Sequence, residues 1–171
     1  MNLLKRIVLA KQDELETMTN TAPSDLPRRD ILDVHSRLKR RPGEPLRLIA
    51  EVKFKSPSAG ALSTALDAGA RALAYAMAGA SMVSVLTDEG FFGGSWGDLT
   101  RAYRTLRNHG YEIPVLAKEF VIDEAQVNRA ERQGADAILL IARILEGDRL
   151  AEVARAARSR CLEPLFEVVD E

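Results

Sequence analysis

Apolar positions recur along this chain with two different spacings, and the change from one to the other lays out its elements. In the opening stretch MNLLKRIVLAKQDELE, residues 1–16, apolar residues fall at helical spacing with charge on the opposite side, which predicts an amphipathic helix. A Pro- and charge-rich connection, TNTAPSDLPRRD, leads to a second short helical segment, LDVHSRLKR, and RRPGEP punctuates before the first strand. From residue 48 the runs become short and rich in β-formers: LIAEVK (48–53), MVSVLT (82–87), PVLAKEF (114–120), AILLI (137–141) and PLFEVV (164–169). Each but the last is followed by a helical pattern, at 64–80, 95–110, 123–135 and 148–160. Several of these start at Ser or Asp, which cap helix N-termini, and two run into Gly.

Strands that are nearly continuous in Val, Ile and Leu and alternate with helices predict a parallel sheet with covered faces. Two architectures fit that description, an open doubly wound sheet and a (β/α)-barrel. The nucleotide-binding open sheet would place a G-x-G-x-x-G turn after its first strand, and KFKSPSAG is not one. In a barrel, catalytic groups stand at the C-terminal ends of the strands while alternate residues fill the interior.

The first strand carries an anomaly that suits this second arrangement. Side chains alternate faces, so Ile49, Glu51 and Lys53 share one face and put two charges there. The third run supplies Lys118 near its end and the fifth supplies Glu167. Two lysines and two glutamates then converge on one mouth, where they compensate one another as an isolated buried charge cannot. Taken singly, each is equally an ordinary strand-end charge reaching water; four at matching depths are harder to explain that way.

Composition narrows the chemistry. At 171 residues, 46% hydrophobic and 29% charged, the chain has the make-up of one soluble domain, 1–171, with a helical extension over 1–47 and the strands over 48–171. Lys and Arg number 24 against 25 Asp and Glu, which gives no positive excess to draw nucleic acid or an anionic membrane. No stretch is long enough to span a bilayer. Cys161 is the single cysteine, so an internal disulfide is excluded, thiolates are too few for a zinc site, and a reducing cytoplasm fits. His35 and His109 lie on predicted helices without partners and read as structural, and the Gly pair at 93–94 reads as shaping a loop.

The segments IAEVKFKSPSAG, SVLTDEGFFGGSWGDL, PVLAKEFVIDEAQVNRAERQGADAILLIARIL and LEPLFEVVDE, in that order, resemble indole-3-glycerol phosphate synthase, a (β/α)8 TIM-barrel family. The resemblance implies a lyase that closes the indole ring of 1-(2-carboxyphenylamino)-1-deoxyribulose 5-phosphate with loss of carbon dioxide and water, using no metal and no organic cofactor. It implies Lys118 as general acid, Glu167 as counter-charge or proton acceptor for a cationic intermediate, and Glu51 and Lys53 in the later dehydration. Ser56 would hold the anthranilate carboxylate, and Leu86, Phe92, Phe120 and Leu139 would wall the pocket. Lys55 reads as a solvated loop lysine.

Departures from the family pattern are Glu119 where Asp is usual after the lysine, and Phe54 and Ala59 at loop positions often filled by basic residues. The largest is length, since a complete barrel runs to roughly 250 residues. The expected architecture is therefore an incomplete barrel of about five β-α units. The phosphate-holding residues that the family carries after its later strands are not among these 171. Open sheet edges invite self-association or a complementing chain. Two other functions fit parts of the pattern: a non-catalytic half-barrel that serves as an assembly module, and a Schiff-base aldolase in which a lysine is the covalent nucleophile.

Overall fold

The computed structural model describes residues 2–18, 26, 31–62 and 65–169. In chain order its elements are α1 (Leu3–Thr17), α2 (Val34–Leu38), β1 (Ile49–Val52), a small antiparallel hairpin of β2 (Lys55–Ser56) and β3 (Gly60–Ala61), and α3 (Ala68–Met77). Then follow β4 (Met82–Leu86), α4 (Trp96–Asn108), β5 (Val115–Lys118), α5 (Glu124–Arg132), β6 (Ala137–Ile141), a 3-10 turn at Ala142–Ile144, α6 (Arg149–Ser159) and β7 (Glu163–Glu167). The long strands form one sheet in the order β1-β4-β5-β6-β7, parallel throughout. Strands adjacent in sequence are adjacent in space and joined through helices, which is the wall of an incomplete TIM-barrel-like fold.

One face of the sheet belongs to the helices. Val52, Val83, Val85, Val115, Ala117, Ile138 and Leu140 are buried there with Ala72 and Ala76 of α3, Leu99 and Leu106 of α4, Val127 of α5 and Val153 of α6. Each such aliphatic side chain removed from water contributes about 1.5–3 kcal/mol, so this layer holds the sheet against the entropy of ordering it. The opposite face follows from the strand register, which sets Glu51 beside Ser84, Ser84 beside Leu116, Leu86 beside Lys118 and Ile141 beside Glu167. At the N-terminal end of that inner face, Met82, Leu116 and Ala137 are covered by Val34 of α2, with Leu38 and Leu165 packed alongside. The C-terminal end is left as a cleft.

Local chemistry explains where the helices begin. Asp67, Ser95 and Asp123 cap α3, α4 and α5, accepting from the backbone N–H groups of Ala70, Asp98 and Ala125. Gln126 returns the contact, its Oε1 accepting from Asp123 N at 3.1 Å, which closes a capping box. Several expected bounds shift. The helix expected from 64 begins at Ala68, because the residue with a free carboxylate for capping is Asp67; residue 64 and most of the 19–30 connection lie outside the described residues. The run expected as strand to 120 ends at Lys118, where Glu119 and Phe120 turn into a network described below. The last strand is Glu163–Glu167 rather than 164–169. The hairpin of β2 and β3 lies inside what the sequence reads as loop, its register pairing Lys55 with Ala61 and Ser56 with Gly60.

Candidate active site

β1 delivers its two charges to one place. Lys53 Nζ lies 2.6 Å from Glu51 Oε1, and Lys118 Nζ, brought in from β5, lies 3.8 Å from Glu51 Oε2. One carboxylate therefore sits between two ammonium groups. All three side chains retain 33% of their exposure. The set is thus half-buried, because the sheet of five described strands opens its inner face to water.

Around this group is a cleft of about 280 Å³ lined by Glu51, Lys53, Leu86, Phe92, Lys118, Glu119, Phe120, Leu139, Ile141 and Glu167. Eight of the nine residues singled out from the sequence stand on its walls. Leu86 and Leu139 are buried at its floor, and Phe92 and Phe120 stack with ring centroids 5.8 Å apart at 28°, giving it an aromatic side. Glu167 reaches the same cleft from β7 but is exposed and pairs with neither lysine. It stands two strands beyond Lys118 in the sheet, and each strand step adds about 4.8 Å. Ser56, the ninth, does not line the cleft; it belongs to β2, where its hydroxyl is 3.0 Å from that of Ser58.

The loop between β4 and α4 brings Phe92 into place. Asp88 Oδ1 accepts from the backbone N–H of Phe91 at 2.7 Å and of Phe92 at 3.0 Å, a tight turn built on one carboxylate oxygen. Gly94 permits the return to the strand, since a Cβ there would lie 2.0 Å from Leu86 O, and Gly93 has φ +65. The Gly pair thus shapes this loop. Lys55 is not simply a solvated side chain: its N–H donates to Phe92 O and its Nζ to Gly90 O, both at 3.0 Å, fastening the hairpin loop to this one.

A match to the indole-3-glycerol phosphate synthase family runs over residues 4–171. The chain belongs to that family. Among indole-3-glycerol phosphate synthases, the protein of Geobacillus kaustophilus is 44% identical over 166 residues, covering 97% of this chain and 61% of the relative. That of an Exiguobacterium species is 39% identical over 174 residues, covering all of this chain and 63% of its own length. A multifunctional tryptophan biosynthesis protein of Phanerodontia chrysosporium is 36% identical over 178 residues, which are 22% of it. The chain therefore spans about three fifths of the synthases it matches.

Beside the charges expected at the mouth lies a second group that sequence reasoning passes over. Lys11 of α1 is 2% exposed and its Nζ lies 2.9 Å from Asp88 Oδ2, 3.2 Å from Glu119 Oε1 and 2.9 Å from Glu14 Oε2. Asp88 and Glu119 are 0% and 1% exposed. Burial opposes the charge on Lys11, but Glu119, Asp88 and Glu14 together outweigh it and raise its pKa. Glu119 is pushed up by burial, against the lowering effect of Lys11, Thr87 and the Phe120 N–H. Two buried carboxylates facing one buried ammonium leave an excess of negative charge, and at Glu119 desolvation outweighs the partners and raises its pKa.

The signal for this group was present in α1. Leu4, Ile7, Val8, Leu15 and Met18 mark the inner face of the helix, and Lys11 falls in its middle. A lysine at a core position requires an anion opposite it. Among the described residues no group of three His, Cys, Asp or Glu is placed to hold a metal ion, and no helix is long and apolar enough to cross a membrane.

Proposed function

We propose that this chain supplies the acid–base part of an indole-3-glycerol phosphate synthase site acting on 1-(2-carboxyphenylamino)-1-deoxyribulose 5-phosphate in the cytoplasm. The observation that carries the reading is Glu51 held between Lys53 and Lys118 at the C-terminal ends of β1 and β5, facing a stacked aromatic wall. The first step is attack of the carboxylate-bearing ring carbon on the substrate ketone; as the carbon–carbon bond forms, Lys118 gives its proton to the developing alkoxide. The product is a ring iminium, and Glu167 on the far side of the cleft is its counter-charge. Carbon dioxide then leaves, and the electrons of the broken bond neutralise the iminium nitrogen, so the substrate is its own electron sink. In the last step Lys53 protonates the departing hydroxyl, water leaves, and Glu51 takes the proton of the adjacent ring carbon. Phe92 and Phe120 with Leu86 and Leu139 hold the aromatic ring, and Ser56, on the hairpin fastened to the Phe92 loop, takes the carboxylate.

The test is turnover. The chain is mixed with the remainder of the Geobacillus kaustophilus synthase that it does not match, and the indole product is followed by its fluorescence. Indole formation that falls by at least about 100-fold in Lys118→Ala supports the reading, in line with the usual contribution of a general acid. A second reading, a non-catalytic assembly module, draws on the exposed Phe166, Val168 and Val169 at and beyond the β7 edge. Such a module forms no indole when complemented and keeps its partner when Lys118→Ala and Glu167→Gln are introduced.

A further inference from the structure

The buried group around Lys11 takes no part in the proton transfers above, yet it touches both rings of the cleft wall through their backbones. Asp88, whose Oδ2 faces Lys11 at 2.9 Å, accepts from Phe92 N with Oδ1 at 3.0 Å. Glu119, whose Oε1 faces Lys11 at 3.2 Å, accepts from Phe120 N with the same oxygen at 2.8 Å. Its other oxygen accepts from the Thr87 hydroxyl at 2.8 Å, and Thr87 N donates to Lys118 O at 3.2 Å. A single ammonium on α1 is thus one carboxylate away from Phe92 and one carboxylate away from Phe120. The two rings it reaches are the pair that stacks.

We propose that Lys11 is a positioning residue: its ammonium ties the turn after β4 to the turn after β5 and thereby sets the Phe92–Phe120 wall on which the substrate ring rests. The physical reason is charge balance in a place without water. Asp88 Oδ2 is buried and has no aligned hydrogen-bond donor among the described residues, so the ion pair is its compensation. Without Lys11, the two carboxylates at 0% and 1% exposure lose the ammonium they share, and a buried charge left without its ionic partner is strongly destabilising. Relief comes by protonation of one carboxylate or by its rotation toward solvent, and either change weakens or releases the bond to a backbone N–H that holds one of the rings. Lys118, which directly precedes Glu119, keeps its own backbone bond to Thr87. The effect therefore falls on ring binding before it falls on proton transfer. This rests on the proposed function for what the wall binds, but not for the coupling between α1 and the wall.

The coupling is read first in the 171-residue chain itself, labelled with 4-fluorophenylalanine at its five phenylalanines. In Lys11→Met the fluorine signals of Phe92 and Phe120 are expected to move, with Phe91 following Phe92. Those of Phe54, which packs under Arg71, and of Phe166, exposed on β7, are expected to stay. If the single variant does not fold, Lys11→Met with Glu119→Gln leaves Asp88 as the one buried carboxylate without its ammonium while the amide keeps the bond from Phe120 N, and it is expected to move the Phe92 signal. In the turnover assay, KM rises about tenfold, the equivalent of one aromatic contact, while kcat stays within about threefold. Unmoved Phe92 and Phe120 signals in a folded variant overturn the proposal, as do five signals moving together or a loss confined to kcat. Absence of turnover in the unsubstituted complemented chain counts against the proposed function alone, because the fluorine signals decide the coupling without it.

Discussion

At the scale of single residues, what matters is how each charge is compensated. Glu51 offsets part of the charge of Lys53 and Lys118 at 33% exposure, and water takes up the rest. Glu119 is the opposite case, a buried acid whose pKa is raised from 4.5 by desolvation. An acid with a raised folded-state pKa contributes stability that is fully present below its unfolded value and is lost as pH rises toward the folded one. Unfolding by urea is therefore expected to show a contribution from Glu119 that declines as pH rises from 4.5, and Glu119→Gln should flatten that slope while keeping the bond from Phe120 N. Identical pH slopes for the two proteins would sink this assignment. Glu51, Lys53 and Lys118 were legible in the sequence because strand alternation puts charges on a predictable face. The role of Glu119 was not, since nothing in the sequence order of residues 11, 88 and 119 says that they meet.

At the scale of elements, the connection from β4 to α4 shows how one short segment serves both fold and site. Its two carboxylate-bound N–H groups, its contact with Lys55 and its Gly pair all act on the position of Phe92. Gly94 and Gly97, three residues apart, should answer differently to the same substitution. A Cβ on Gly94 meets Leu86 O at 2.0 Å, so Gly94→Ala is expected to cost about 1–3 kcal/mol in a urea titration, the range for overpacking. Gly97 lies inside α4, has no contact closer than 3.5 Å for an added Cβ, and Gly97→Ala should stabilise by about 0.4–1 kcal/mol. Equal effects at the two positions would refute this account of the loop. Helix and strand identities were readable from periodicity and caps, whereas the β2–β3 hairpin was not: two residues per strand leave no alternation to detect, and its pairing depends on Lys55 being fastened to the neighbouring loop.

At the scale of the whole molecule, the sheet has two edge strands, β1 and β7, among the described residues, and apolar side chains stand exposed near them: Leu48, Ile49, Phe166, Val168 and Val169. Unpaired edges next to apolar surface promote pairing between chains. The 171-residue chain made by itself is accordingly expected to elute from size exclusion as an assembly larger than a monomer, and to shift to a single one-to-one complex when the remainder of a synthase is added. A compact monomer at all concentrations would contradict this. The amino-acid sequence by itself determined the alternation of strand and helix, the family, and the inward face of Glu51, Lys53 and Lys118, because periodicity and motif order are local properties of the chain. Only the tertiary structure decided that the cleft is half-open, that Glu167 and Ser56 stand away from the central charges, and that Lys11 closes a buried network behind the aromatic wall. Those outcomes depend on sheet curvature, strand spacing and the docking of α1, and contacts across more than a hundred residues are set by packing rather than by any local pattern.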